Sequence, residues 1–290
     1  MRIAIASGKG GTGKTTVAIN LAVCLRGPVQ LLDCDVEEPD CALFLRPRIH
    51  ASERVGVPVP VVDAARCTAC GECARFCQFH AIVCLGSVPL VFAELCHGCG
   101  GCAAVCPQGA IREELRETGI IEGGEAEGIA LVQGRLNVGE AMAAPLIRAV
   151  KRKSRSSGTV IVDSPPGTSC PVLAAVGGCD YVVLVTEPTP FGLNDLQLAV
   201  EAMRALSLSF GVVINRAGTG NDGVAPYCAR ERIAVLAELP DDRRVAEAYS
   251  RGEIAVKTVT GARERFVALA DRIVTELRLR WPEPSRAAGR

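Results

Sequence analysis

The stretch "RIAIASGKGGTGKTTVAINLAVCLR", from Arg2 to Arg26, constrains this chain more than any other. A short β-branched run stops at a glycine-rich turn, and residues at helical spacing follow at once. Strand, loop and helix in that order are the setting in which a glycine-rich loop holds phosphate. Gly10, Gly11 and Gly13 let the backbone curl until its N–H groups converge on phosphate oxygens at the positive end of a helix. Lys14 is then placed to neutralise the β- and γ-phosphates, and the Thr15 hydroxyl to ligate Mg²⁺. Gly8 supplies the leading glycine of the general pattern, and a second lysine, Lys9, follows it directly.

Further along, "VQLLDCD" (Val29–Asp35), "GTVIVDSPPG" (Gly158–Gly167), "CDYVVLVTEP" (Cys179–Pro188) and "SFGVVINRAG" (Ser209–Gly218) read as buried strands. Amphipathic helical stretches separate the later ones: "GEAMAAPLIRAVKRK", "GLNDLQLAVEAMRAL" and "GVAPYCARERI". Apolar strands alternating with helices predict an α/β domain, a parallel sheet covered by helices on both faces. Hydrophobic residues make up 49% of the chain and aromatics only 4%, so Val, Ile, Leu and Ala must fill that core.

From about Val59 to Arg116 the texture changes. "CTACGECARFCQFHAIV" and "CHGCGGCAAVCPQGAIR" align without gaps, offset by 29 residues from Cys67 to Cys96. Two copies of one cysteine pattern predict a small pseudo-symmetric module set into a larger host. The expected organisation is a discontinuous host over 1–58 and 117–281, an insert over 59–116, and a Pro- and Arg-rich tail over 282–290 that reads as disordered. Each copy has the spacing C-x₂-C-x₂-C-x₃-C. Zinc would use two ligand pairs separated by a longer loop, whereas three thiolates in one tight loop fit three corners of a cuboidal cluster. Fifteen cysteines could also form a disulfide framework. No signal peptide and no apolar run near the ~20 residues of a membrane span are seen, so a cytoplasmic protein with reduced thiols is expected.

The loop "KGGTGKTT" resembles the deviant Walker A motif of the MinD/ParA-type P-loop ATPases. That resemblance implies a P-loop NTPase fold binding ATP and Mg²⁺ through Gly8, Lys9, Gly10, Gly11, Thr12, Gly13, Lys14, Thr15 and Thr16. It makes Lys9 the lysine that reaches the partner's nucleotide, so that hydrolysis needs a nucleotide-sandwich dimer, either a homodimer or a heterodimer with a related ATPase. "LLDCD" matches the family's first switch: Asp35 orients the attacking water and Asp33 supports it near the metal. "VIVDSPPG" matches the second: Asp163 holds Mg²⁺ through water, and Pro165, Pro166 and Gly167 form a stiff, phosphate-sensing turn. "VVINRAG" puts Asn215 at the adenine, with Pro240 and Asp241 of "ELPDD" as the other wall. Lys9, Lys14, Asp35 and Asp163 are the implied catalytic set.

The insert resembles a two-cluster ferredoxin, a small α+β domain whose fourth cysteine in each run ligates the other cluster. The resemblance implies one [4Fe–4S] cluster on Cys67, Cys70, Cys73 and Cys106, and a second on Cys96, Cys99, Cys102 and Cys77. Cys106 is followed by Pro107 as in that family, but Cys77 is followed by Gln78, which puts an equal potential for the two clusters in doubt.

Cys24, Cys34, Cys41, Cys84, Cys179 and Cys228 lack ligand spacing and read as small hydrophobes. Cys170 follows the second switch in "PPGTSCP"; packing is expected there, with a redox or metal-transfer role as the alternative. His50, His80 and His97 form no cluster, and His97 reads as a solvated neighbour of Cys96. In the C-terminal helix, Phe266, Leu269, Ile273 and Leu277 recur at core spacing, which favours packing over membrane binding. Lys plus Arg balances Asp plus Glu at 32 each, so charge gives no case for nucleic acid.

Together the resemblances imply an ATPase that couples turnover to electron transfer, or to metallocluster maturation or delivery, for a client protein. A redox-sensing switch, whose clusters control ATP-dependent dimerisation, is one alternative. A ParA-like positioning ATPase that binds DNA is another, supported only by "KRKSR" at Lys151–Arg155.

Overall fold

The structure is a computed structural model and describes residues 1–220 and 223–280. The tail expected to be disordered lies outside the described residues. The strands are β1 (Arg2–Ala6), β2 (Val29–Asp33), β3 (Arg48–Val62), β4 (Ile82–Val83), β5 (Leu90–Val91), β6 (Ile111–Ala126), β7 (Ile129–Leu136), β8 (Thr159–Asp163), β9 (Tyr181–Thr186), β10 (Phe210–Ala217) and β11 (Val235–Pro240). The helices are α1 (Lys14–Cys24), α2 (Cys41–Leu45), α3 (Glu72–Phe76), α4 (Gly101–Ala104), α5 (Ala144–Arg152), α6 (Cys170–Val176), α7 (Pro190–Ala205), α8 (Val224–Arg230), α9 (Arg243–Ser250), α10 (Ala255–Thr258) and α11 (Ala262–Arg280).

Nine strands form one sheet in the order β11-β10-β9-β1-β8-β2-β7-β6-β3. From β11 to β7 every pairing is parallel. Side chains alternate across such a sheet. Ile3 and Ile5 of β1 enter one core with α1, α10 and α11, while Ala4 and Ala6 enter the other with α5 to α8. Phe266, Leu269, Ile273 and Leu277 are all buried in the first core, so α11 packs where its spacing predicts. Truncating a side chain as enclosed as Leu269 to alanine would cost about 2–5 kcal/mol. Among the described residues, no helix is long and apolar enough to cross a membrane.

The expected parallel sheet with helices on both faces is present, and it carries one antiparallel edge. β6 runs antiparallel to β7, and β3 antiparallel to β6, so one edge of the sheet is a long antiparallel ribbon. The boundaries expected at 58/59 and 116/117 fall inside its two strands. β6 pairs with β7 only from Gly119 onward. Beyond that point β3 and β6 continue alone, from Gly56↔Glu117 to Val62↔Ile111. A register shift between Val55 and Gly56 marks the point of departure, as bulges do where a strand bends away from its partners. A Cβ on Gly56 would come within 2.4 Å of the Arg116 carbonyl. Arg116 is in turn paired with the nearly buried Glu140, which pins the base of the ribbon.

The cysteine repeats hang from the tip of this ribbon. α3 and α4 are the equivalent helices of the two copies, and β4 and β5 form a separate two-stranded sheet. The sequence repeat is also a repeat of backbone shape. Left-handed residues recur at the same 29-residue offset: Ala69 and Gly98, Gly71 and Gly100, His80 and Gly109. At Gly101 a Cβ would strike the Phe76 ring at 2.0 Å, so the copies pack closely through that glycine.

Candidate functional site

The carboxyl ends of β1, β2, β8, β9, β10 and β11 open on one edge, where open α/β sheets present ligand crevices. A cleft of about 490 Å³ lies there. Gly10, Gly11, Gly13, Lys14, Thr15 and Thr16 line one side, with Asp35, Pro166, Asn215, Pro240 and Asp241 around them. Residues widely separated in sequence are thus brought to one cavity. Gly11 and Gly13 have φ of 78° and 91°, the left-handed conformation that favours glycine. A Cβ on Gly13 would meet the Asn215 amide nitrogen at 2.5 Å, and that nitrogen donates to the Thr12 carbonyl at 2.8 Å. α1 then starts at Lys14 with no side-chain cap and no acidic residue in its first turn, which leaves its N-terminus to an external anion.

Charge in the cleft is unbalanced. Lys14 is buried, and burial lowers its pKa against the opposing pull of Asp163 and Asp35. Burial and the Asp163 charge push Asp35 up to about 7, despite Lys14. Asp33 and Asp163 are fully enclosed, and burial raises both. Asp33 is already satisfied, since its two oxygens accept the Asp35 and Cys41 amides at 3.2 and 3.0 Å. Asp163 is not: Oδ2 accepts the Cys41 thiol at 3.5 Å, while Oδ1 is buried without a partner. A hard carboxylate oxygen in that condition, beside the Thr15 hydroxyl, suits a magnesium-bound water.

Lys9 is folded back onto its own chain, 3.3 Å from Glu187, which also takes Arg216 at 2.6 Å. Sequence reasoning missed Glu187 and Cys41. Glu187 sits one residue past the end of β9, where a strand-end acid was a usable signal, whereas nothing in sequence marked Cys41. The basic run "KRKSR" is partly used inside the chain: Lys151 donates to the carbonyls of Ala174 and Gly177, and Lys153 pairs with Glu53.

In the insert, Cys67, Cys70, Cys73 and Cys106 line one pocket. Cys77, Cys96, Cys99 and Cys102 line another. Each pocket therefore draws three thiols from one repeat and one from the other. Around the thiols both linings are mainly apolar or glycine. Among the described residues, the only three His, Cys, Asp or Glu ligand atoms mutually within 4.8 Å are those of Asp33, Cys41 and Asp163. No three thiols of either pocket lie that close together. Backbone amides already face two of the sulfurs: Ala110 N–H donates to Cys106 Sγ at 3.3 Å and Gly98 N–H to Cys96 Sγ at 3.5 Å. His97 is not merely solvated, because its ring stacks on Phe79 with centroids 3.7 Å apart beside the second pocket. Outside the pockets, Cys34, Cys41, Cys179 and Cys228 are buried, Cys24 and Cys84 half-buried, and Cys170 exposed.

The chain is 35% identical over 227 residues to an uncharacterised protein of Methanocaldococcus jannaschii, covering 76% of this chain and 80% of that protein. It is 25% identical over 296 residues to a Pyrococcus horikoshii protein named iron-sulfur cluster carrier protein, covering 96% of this chain and 86% of that one. Among solved structures, the septum site-determining protein MinD of Pyrococcus horikoshii, complexed with Mg-ADP, matches the fold with a TM-score of 0.59 at 20% identity, covering 94% of this chain and 95% of that chain. A family model described as the CobQ/CobB/MinD/ParA nucleotide binding domain matches residues 3–256, from the first strand of the sheet past the last wall of the cleft. The chain belongs to the CobQ/CobB/MinD/ParA nucleotide-binding domain family.

Proposed function

We propose that this protein is an ATP-hydrolysing iron–sulfur protein, in which a nucleotide-dependent dimer couples turnover to electron transfer, or to cluster delivery, toward a client protein. The observation that carries this reading is the crossed grouping of eight cysteines into two pockets, on a ribbon that springs from the edge of a nucleotide-binding sheet. Cysteine sets of this spacing hold two [4Fe–4S] clusters. The assignment is one cluster on Cys67, Cys70, Cys73 and Cys106, and one on Cys96, Cys99, Cys102 and Cys77. When bound, such clusters supply one-electron redox couples. The protein's own part is to hold thiolates at fixed corners, to donate N–H bonds to sulfur, and to line both pockets mainly with apolar residues and glycine.

On the nucleotide side, Lys14 and the free amides of α1 would bind the phosphates, and Asn215, Pro240 and Asp241 the base. Thr15 and the unpartnered Asp163 Oδ1 would hold Mg²⁺, directly and through water, where it offsets phosphate charge. Asp35 would orient the attacking water. Lys9 would leave Glu187 to act across a dimer interface. The resemblance of the loop to deviant Walker A ATPases supports these roles, as does the convergence of the residues on one cleft. So does the name of the Pyrococcus horikoshii relative, iron-sulfur cluster carrier protein.

The test is anaerobic purification with iron and sulfide counts, followed by EPR spectra and redox titration with and without MgATP. We expect two clusters per chain and a spectrum or midpoint potential that moves with nucleotide. Two clusters whose spectra and titrations ignore MgATP would refute coupling, and absence of iron would refute the cluster assignment.

A further inference from the structure

The short helix α2 touches both ends of the problem. Its first residue, Cys41, is fully buried. The Cys41 amide donates to Asp33 Oδ2 at 3.0 Å and its thiol to Asp163 Oδ2 at 3.5 Å. Three residues on, Phe44 packs against Tyr249 with ring centroids 4.7 Å apart, and Tyr249 lines the nucleotide cleft. The helix closes at Arg46, whose φ of 50° is left-handed, and β3 begins two residues later. β3 is half of the ribbon that carries the cysteine pockets.

Asp33, Cys41 and Asp163 look at first like a metal site, with ligand atoms within 4.8 Å of one another. Asp33 argues against that, because both its oxygens already accept backbone amides. The trio is instead a wired corner. Asp33 fixes the backbone of Cys41, and the Cys41 thiol fixes one oxygen of Asp163 while leaving the other open. A thiol is a weak donor, so it orients the carboxylate yet yields when stronger charge arrives.

Charge does arrive there on the family reading. The segment just before α2 puts Asp35, Glu38 and Asp40 into the cleft. Phosphates entering beside three carboxylates meet like charge at short range, and a divalent cation draws the same carboxylates inward. Either way the forces on segment 35–40 change, and α2 is its direct continuation.

We propose that α2 is the relay between the nucleotide cleft and the cysteine-bearing ribbon, with Cys41 as the positioning residue that ties it to Asp163. The proposal rests on the two-site reading above and names the route by which one site reaches the other. It makes Cys41 specific: the thiol is needed as a donor to Asp163, not only as filler.

Hydrogen exchange on the full holoprotein, read by mass spectrometry without nucleotide and at saturating MgATP, tests it, alongside EPR of the same samples. In the wild type, MgATP should change exchange by about twofold or more across residues 41–62 and 111–118. Cys41→Ala should lose the change beyond residue 45, and Cys41→Ser, which keeps a donor, should recover most of it. Phe44→Leu, which removes the ring contact but keeps bulk, should weaken it and serves if Cys41→Ala does not fold. A full ribbon response in Cys41→Ala, or in Phe44→Leu where that variant stands in, would overturn the relay and leave the two-site reading intact. A silent ribbon in the wild type, with EPR that still shifts, would overturn the relay and keep coupling by another route. Silence in both would overturn both.

Discussion

Lys9 and Glu187 form an ion pair at 3.3 Å within one chain, and Glu187 shares its carboxylate with Arg216. The lysine that the family resemblance sends to a partner's nucleotide is thus engaged at home. Glu187 is mostly buried, with 11% of its side chain exposed against 32% for Lys9, so the restraint is stronger than a surface pair but modest.

Freeing that lysine should favour dimerisation. Removing a pair of this exposure is worth about 1 kcal/mol, and each protomer of a homodimer releases one, so Glu187→Gln should lower the protein concentration needed for ATP-dependent dimers by about thirtyfold. Lys9→Ala should bind ATP yet lose both dimerisation and hydrolysis. Sedimentation velocity with and without MgATP reads both, and an unaltered dimer fraction in Glu187→Gln would show that the contact restrains nothing.

The cleft carboxylates predict a definite sign for pH. Asp35 is pushed up to about 7 in the folded chain, mainly by burial and then by Asp163, and burial raises Asp163 and Asp33 as well. An unfolded aspartate titrates near 3.9. Between those values the native state holds protons that the unfolded state has released, so the contribution of these groups to stability falls as pH rises from about 4 to about 7. The nucleotide-free wild type should lose thermal midpoint relative to Asp35→Asn across that window. Parallel curves for the two proteins would contradict the assignment.

The proposed crossed ligation predicts a non-additive signature. Cys67 and Cys106 line the same pocket although they belong to different repeats. Cys67→Ser and Cys106→Ser should each lose the same cluster, and the double variant should lose no more, retaining about four irons of eight. Cys77→Ser combined with Cys106→Ser should lose both clusters. Iron counts that add in the first double variant would mean that each repeat ligates its own cluster.

Two neighbouring glycines should behave oppositely on substitution. A Cβ on Gly8 would lie 2.2 Å from the Asp195 carbonyl, whereas one on Gly10 would meet nothing within 4 Å. Gly8→Ala should therefore cost about 1–3 kcal/mol of stability through forced backbone movement. Gly10→Ala should melt like the wild type but weaken nucleotide affinity, because its methyl enters the space meant for phosphate. Thermal melts paired with fluorescent-nucleotide titration separate the effects; a destabilised Gly10→Ala would place that residue in the wrong environment.

What was legible in the sequence follows from burial. β1, β2, β8 and β9 are buried along most of their length and β10 along half of it, so each shows up as an apolar run. The ribbon was hidden because much of it meets solvent: the first seven residues of β3 and most of the charged start of β6 are exposed, and only short stretches of either strand are buried. The same physics separates the site residues. Loop glycines and strand-end aspartates lie in compact local patterns, whereas the Cys41–Asp163 contact joins residues 122 apart and that of Lys9 with Glu187 joins the ends of two adjacent strands that are far apart in sequence. Cys41 read as a small hydrophobe because it is as buried as one; only its neighbours make it polar in effect.

The pairing of Val62 with Ile111 has a consequence for how such a chain can be built. The module leaves and re-enters the host on adjacent strands, about 5 Å apart. To the sheet, everything between them is one long hairpin loop, and the entropy of closing a loop grows only slowly with its length. The module is therefore a graft at the tip of an edge hairpin, carried within the connection that joins β2 to its parallel neighbour β7. Excising residues 63–110 and joining the two strands with a tight turn should leave a nucleotide-binding domain that still folds, stripped of its cysteine pockets. The scaffold is portable in both directions: an edge hairpin of this kind could accept some other module as readily as it accepts this one.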